Sequence, residues 1–293
     1  MFAYLIASGI STGALYAMVA IGLVLVYRST GHINFSHGEL FMMGGFIAYT
    51  CFVMLGMPYF VSLVIAVAGG FALGVLCDRT VYRPLIKAPA LTMVLATVGF
   101  SFLIKGVARF FWGAREGGDY VAFPAAVDPA PIPLGGIMVF PQQLLVLGGA
   151  FFFVVVFTIF FRRTRWGKMM QATAENATAA FLSGIRVERV YTMTWGTGAC
   201  IASAAAVLMA PLTLLSPDVG FNLLLRAFAA TVLGGLGSMP GAIIGGFLVG
   251  IIESLAGGYI HTGLQEVSAF VIIIVVLVFR PAGLFGIHRL RET

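Results

Sequence analysis

Charge is what this sequence has least of. Only 10% of its 293 residues are charged, 11 acidic against 17 basic, far fewer than the wetted surface of a soluble domain of this length carries. A water-soluble fold is thereby excluded. Cysteine is nearly as scarce. Cys51, Cys77 and Cys200 fall within or at the ends of apolar stretches, so a disulfide framework is not expected and small packing residues are. No basic residue precedes Arg28, and the first apolar stretch is long enough to span a bilayer, which argues against a cleaved signal peptide. Lys168 follows Gly167, but no glycine stands five residues earlier and Met169 comes next; this is not a phosphate-binding loop. Nor does any apolar segment pair a Ser or Cys with a His at a depth that intramembrane hydrolysis would need, so no enzyme is expected.

What fills the chain instead is apolar: 60% hydrophobic residues, 26 of them phenylalanine, and a mean hydropathy of +1.03. A helix crosses a bilayer with roughly 20 mainly apolar residues. Such windows recur at 4–27, 37–56, 59–77, 90–112, 140–161, 191–210, 240–258 and 266–279, with a shorter, interrupted one at 222–236. The pattern predicts an all-α polytopic membrane protein of about eight to nine segments. It forms one transmembrane domain over 1–293, with an outer loop at 113–139 and an inner segment at 162–190.

Basic residues set the expected orientation. Arg28, Arg79, Arg83, Lys87, Arg162, Arg163, Arg165, Lys168, Arg186, Arg189, Arg280, Arg289 and Arg291 fall on one side, 13 of the 17 Lys and Arg. The opposite loops hold Glu116, Asp119, Asp128, Asp218 and Glu266 with Arg115. The positive-inside rule makes the first side cytoplasmic and leaves the N-terminus outside and the C-terminus inside. The pI near 9.5 follows from that loop bias, not from nucleic-acid binding.

Within the inner segment, 168–183 is rich in helix formers and Gly184 stops it, predicting one short helix across the inner face. Glycines four apart (Gly9 and Gly13, Gly70 and Gly74, Gly241 and Gly245, Gly246 and Gly250) predict close helix crossings. The run Gly234, Gly235, Gly237 followed by Pro240 predicts a broken helix near 222–240, tolerated at membrane depth only where it is buried or faces a cavity.

Charges inside the apolar windows need partners or an exit. Lys105 and Arg109 lie on one face in the outer half of their window, and both are expected to snorkel outwards. Arg226 and Glu253 each lie about four to five residues, or roughly 6–8 Å, below the outer end of consecutive windows. They are expected to pair as an intramembrane salt bridge.

The stretch TGHINFSHGELFMMGG, residues 30–45, concentrates polar groups between two apolar windows. His32, His37 and Glu39 match no metal-site spacing, so no metal is expected. A helix starting at the inner interface suits the pattern, with Asn34 or Ser36 as cap and Glu39 in the first turn. Free N–H groups at such a start can receive a carboxylate, which makes Asn34, Ser36, His37 and Glu39 candidates to line a solute path.

The stretches GHINFSHGELFMMGGF, MQATAENATAAFLSGI and RAFAATVLGGLGSMPGAIIGGFLVGIIESL resemble the LivH-like permease subunit of ATP-binding-cassette importers for branched-chain amino acids, and the likeness runs over about residues 5–286. The resemblance implies a bacterial inner-membrane subunit paired with a second homologous permease, as a homo- or heterodimer. Two cytoplasmic ATPase subunits would dock beneath it and a periplasmic solute-binding protein would deliver the solute. ATP would be bound by the partner subunits and no cofactor by this chain; membrane lipid surrounds it. Ala174, Glu175, Ala179, Ala180 and Gly184 would form the coupling segment, although the contiguous Glu-Ala-Ala of better-known importers is absent. Relatives of the family also carry urea, amides or small aromatic acids. A secondary transporter is the rival class, but it would need coupling-ion carboxylates near the bilayer middle. Glu253 is expected towards the outer edge and Glu39 at the inner interface.

Overall fold

The computed structural model describes residues 1–113, 120–127, 130–134 and 137–286. Arg115, Glu116, Asp119, Asp128, Arg289 and Arg291, used above for orientation, lie outside the described residues. Eleven helices are described: α1 (Phe2–Thr30), α2 (His37–Tyr49), α3 (Tyr59–Cys77), α4 (Ala90–Ala108), α5 (Pro141–Arg163), α6 (Arg165–Glu175), α7 (Ala177–Leu182), α8 (Val187–Met209), α9 (Val219–Gly234), α10 (Met239–Tyr259) and α11 (Leu264–Phe279). Wider or tighter turns extend α2 to Met54, α3 to Leu85, α4 to Gly113 and α8 to Leu212. A two-stranded antiparallel hairpin, β1 (Ile132–Leu134) and β2 (Ile137–Val139), precedes α5.

Among the described residues six helices are long and apolar enough to cross a membrane, those beginning at Phe2, Tyr59, Ala90, Pro141, Val187 and Met239. The chain is therefore a multi-pass membrane protein, helical apart from that short hairpin and its loops. α9 and α11, of 16 residues each, are shorter, as is α2 with 13.

α1 is the axis of the bundle. It is buried without interruption from Gly13 to Val26, as befits a helix that is apolar all round. α10 packs along it through glycine: a Cβ on Gly13 would sit 2.8 Å from the Phe247 Cα, and one on Gly250 would sit 2.5 Å from the Gly13 Cα. α3 meets α8 the same way, through Gly70 against Ser203 and Gly74 against Trp195 and Ala199. Contact of this kind replaces the hydrophobic drive that lipid removes.

Two sequence expectations need correction. The run Gly234–Pro240 is not a break within one helix but the turn joining α9 to α10. Gly235 and Gly237 have φ of +103° and +94°, which take the chain out of α9, and the Ser238 hydroxyl accepts from the Gly241 N–H at 3.1 Å to start α10 with Pro240 in its first turn. From below, the Leu284 and Phe285 N–H groups donate to the Leu233 and Gly234 carbonyls at 2.8 and 3.0 Å. The inner segment 168–183 is likewise two helices. Asn176, at φ −155°, ends α6 and caps α7, its Oδ1 accepting from the Ala179 N–H at 2.9 Å. Asparagine is among the strongest N-caps, and here it overrides the helix formers around it.

Candidate translocation site

Gly31, left-handed at φ +74°, ends α1, and the chain turns back into the bundle before starting α2. The return is deep. The His37 ring lies against Gly22, where an added Cβ would be 2.8 Å from Nε2, and Gly22 stands eight residues, roughly 12 Å, above the end of α1. The expected start at the inner interface is therefore wrong: α2 begins inside the protein. Its first turn crosses that of α9 so closely that a Cβ on Gly38 would overlap the Gly220 carbonyl, and one on Gly220 the Gly38 carbonyl. Only glycine permits that crossing.

The cap differs from expectation as well. The Asn34 Oδ1 accepts from the Ser36 N–H at 2.9 Å and from its hydroxyl at 2.6 Å. Ser36 stands at the cap position, but its side chain makes no cap hydrogen bond, being turned to Asn34 instead. Asn34, Ser36, His37 and Glu39 are all 1% exposed or less. Among the described residues the Asn34 Nδ2 and the Glu39 Oε2 have no hydrogen-bond partner. Each such group costs about 1–3 kcal/mol, a concentration that packing alone does not explain.

Lys105 and Arg109 are paired with carboxylates. The Lys105 Nζ lies 3.0 Å from the Asp218 Oδ1 and 3.8 Å from the Glu39 Oε1, and the Arg109 Nη2 lies 2.9 Å from the Asp218 Oδ2. Asp218 is within reach because the segment before α9 folds inward, held by reciprocal backbone hydrogen bonds between Val121 and Leu215 at 2.8 and 2.9 Å. The hydrogen bond from Lys105, joined by the charges of Lys105 and Arg109, holds the Asp218 carboxyl below its ordinary range. The Lys105 ammonium also stands 5.9 and 5.7 Å from the Phe102 and Phe221 rings. The cluster thus ties α2, α4 and the head of α9 with two cations and two carboxylates. It is graded in exposure, from the buried Glu39 to Asp218 and Arg109, which are 54% and 49% exposed. Sequence reasoning placed Asp218 in an outer loop and missed its partnership with Lys105; the only signal was a carboxylate immediately ahead of an apolar helix.

A second ion pair lies elsewhere. The Arg226 Nε of α9 is 2.9 Å from the Glu253 Oε1 of α10, and the guanidinium stands 6.0 Å from the Tyr16 ring of α1. The pair braces three helices and is separate from the Glu39 cluster. His32 is not near His37 as a co-ligand: its Nδ1 meets the Thr30 carbonyl at 2.8 Å. Among the described residues no three His, Cys, Asp or Glu side chains converge as a metal site would require.

At the arginine-rich end, Ala174 and Glu175 close α6 while Ala179 and Ala180 belong to α7. Gly184, at φ +84°, ends α7 with the Ile185 N–H on the Ala180 carbonyl at 3.0 Å. Ala180 is buried, and Glu175, Ala179 and Gly184 are exposed. The prominent feature of α7 is one that the sequence reading passed over: Phe181 and Leu182 are 67% and 80% exposed.

A family profile described as branched-chain amino acid transport system / permease component matches residues 5–279. Over 288 residues the chain is 31% identical to the high-affinity branched-chain amino acid transport system permease protein BraD of Pseudomonas aeruginosa, covering 95% of this chain and 94% of that one. It is 32% identical over 293 residues to the corresponding LivH of Escherichia coli, with the same coverage. Among solved structures, a chain of PsaBC from Streptococcus pneumoniae, determined in complex with Fab, superposes with a TM-score of 0.52 at 13% identity, covering 94% of this chain and 91% of that one. That last likeness is one of fold alone.

Proposed function

Since the chain belongs to the branched-chain amino acid transport permease family, we propose that it is the membrane subunit of an ATP-binding-cassette importer that moves branched-chain or related amino acids inward by alternating access. The observation that carries this reading is the Glu39–Lys105–Asp218–Arg109 cluster. Charges of both signs stand side by side, from the buried Glu39 to the half-exposed Asp218 and Arg109, beside apolar rings and next to unpaired polar groups at the head of α2. A zwitterionic head with an aliphatic tail needs that combination. Lys105 and Arg109 suit its carboxylate, Asp218 and Glu39 its ammonium, and Phe102 and Phe221 its side chain. Because the cations and carboxylates already satisfy one another, a passing solute exchanges partners without being held tightly, which suits passage.

In this reading a periplasmic binding protein delivers the solute to the Asp218 side, and a second permease subunit completes the path. Two ATPase subunits dock on α7, where Phe181 and Leu182 offer an apolar foot. ATP binds to those subunits, and this chain carries no cofactor. Closure of the ATPase pair displaces α7 and, through α6, the bundle around α1. The N-terminus lies outside and the C-terminus in the cytoplasm of the inner membrane.

The test is uptake of labelled leucine by proteoliposomes holding this chain with its partner permease, ATPase subunits and binding protein. Uptake should require hydrolysable ATP and fall at least tenfold in Lys105→Met with ATP hydrolysis retained. Full uptake with inactivated ATPase subunits would replace the reading with a secondary transporter.

A further inference from the structure

At the arginine-rich end of the bundle, the end of α3 and the start of α8 leave a cavity of about 390 Å³ lined by Arg79, Arg83, Arg189, Glu188, Trp166 and Met193. Arg83 is fixed in place: its Nη2 lies 3.2 Å from the Oδ2 of the buried Asp78 and donates to the Thr192 hydroxyl at 2.7 Å, while its Nη1 is 4.0 Å from Glu188. Arg79 and Arg189 are exposed. Three guanidinium groups therefore share one lining carboxylate, and among the described residues Arg79 and Arg189 make no ion pair within 4 Å.

Above the cavity α3 and α8 close on each other through apolar residues. Phe71 and Val75 precede Arg79 on α3 at four-residue spacing, on one face of the helix. On α8 the corresponding face runs from Arg189 through Met193 to Gly196, where the Phe71 ring packs so closely that a Cβ on Gly196 would be 2.6 Å from it. Along the outer flank of α3, Val64 and Leu76 are 66% and 47% exposed, as for a surface that faces acyl chains. Trp166 marks the boundary, since indole side chains favour the level where hydrocarbon meets headgroups. Cation below, indole at the border and hydrocarbon above is the profile of a phospholipid standing upright in its leaflet.

We propose that this cavity is a binding site for an anionic phospholipid of the leaflet at the arginine-rich end, with Arg79, Arg83 and Arg189 holding the phosphodiester and an acyl chain lying on the exposed flank of α3 at Leu76 and Val64. Basic pockets between membrane helices recognise anionic headgroups by this chemistry. Planar guanidinium groups donate to two phosphate oxygens at once. Phosphatidylcholine offers the same phosphodiester, but its choline cation would enter a cavity lined by three guanidinium groups and one carboxylate, so net charge favours the anionic head. The role is structural. The lipid would clamp the end of α3 to the start of α8, the helix that follows α7. The site stands independently of the transport reading.

The test uses the purified full chain in a neutral detergent, with thermal unfolding and native mass spectrometry as readouts. Phosphatidylglycerol should raise the unfolding midpoint and remain bound; phosphatidylcholine should do neither. Arg79→Gln and Arg189→Gln should each weaken the bound phosphatidylglycerol about fivefold, since a basic side chain near a membrane surface contributes on the order of 1 kcal/mol. Both residues are exposed and unpaired, so neither variant should unfold; Arg162→Gln, outside the cavity, is the control and should bind as the parent does. Equal stabilisation by both lipids, or retention of the phosphatidylglycerol effect in both variants, overturns the proposal. Millimolar inorganic phosphate reproducing the full shift would make the cavity a free-anion site and would likewise overturn it. So would a stabilisation given by the ATPase subunits and not by lipid, which would make the cavity a docking surface.

Discussion

Glu253→Gln would leave the Arg226 guanidinium at membrane depth without its counter-charge. The two side chains are 19% and 10% exposed and meet at 2.9 Å, so water offers little compensation. Stranding one member of a buried pair costs about 3–5 kcal/mol. The Gln carbonyl still accepts a hydrogen bond, and the Tyr16 ring 6.0 Å away offsets roughly 0.5–1 kcal/mol as a cation–π partner. A net loss of about 2–4 kcal/mol is the expected outcome, read from unfolding of the chain in mixed micelles titrated with a denaturing detergent. Arg226→Gln should cost a comparable amount for the converse reason. The double variant removes both charges at once, so its loss should fall short of the sum of the single losses by about 2 kcal/mol, within the range of interacting neighbours. The swap Arg226→Glu with Glu253→Arg should recover part of the stability and of the uptake. Additivity of the two single variants to within about 0.5 kcal/mol would refute the coupling, whatever the size of either loss.

Gly13→Ala should destabilise the chain by about 1–3 kcal/mol, because the new methyl meets α10 backbone that cannot yield as a side chain would. Gly99→Ala, with nothing within 4 Å of its Cβ position, should be neutral or gain up to about 1 kcal/mol from helix propensity; equal behaviour of the two in the same unfolding assay would count against the α1–α10 packing. Phe181→Asp with Leu182→Asp should abolish ATP-driven uptake and co-purification of the ATPase subunits while leaving the thermal midpoint of the chain unchanged, since both side chains are exposed; retained co-purification would remove α7 as the docking foot. Asp218 has a depressed carboxyl pKa in the folded chain, so its contribution to stability is present above the ordinary aspartate value of about 3.9 and is lost as pH falls through the lower folded value. The unfolding midpoint of the parent should drop across that acid window more than that of Asp218→Asn, by a small margin because the group is half exposed; identical profiles would show that the cluster does not hold Asp218.

Legibility from sequence follows the range of the interaction. Helix positions were readable because a lipid-crossing segment must be continuously apolar, and the Gly9–Gly13 and Gly70–Gly74 pairs announced their crossings through spacing on one helix. The nearness of Arg226 and Glu253 was readable for a similar reason: consecutive antiparallel helices put equal depths side by side. The Glu39–Lys105–Asp218 contacts were not readable. They depend on how deeply the chain folds back after Gly31 and again before Val219, and non-helical backbone has no periodicity from which to read a depth. Asn176 shows a different limit. Its capping preference was present in the sequence, but a run of strong helix formers on both sides outweighed it until the backbone was seen to turn there.

The hydrogen bonds from Leu284 and Phe285 to the end of α9 bear on how this polypeptide can be handled. A chain cut back to residue 283 would lose both donors and with them the tie between the C-terminal segment and the base of the α9–α10 hairpin, so the hairpin would fray from that end. Affinity handles and fluorescent fusions therefore belong beyond residue 286 or at the other terminus, and a shortened version that expresses poorly would be reporting a missing keystone.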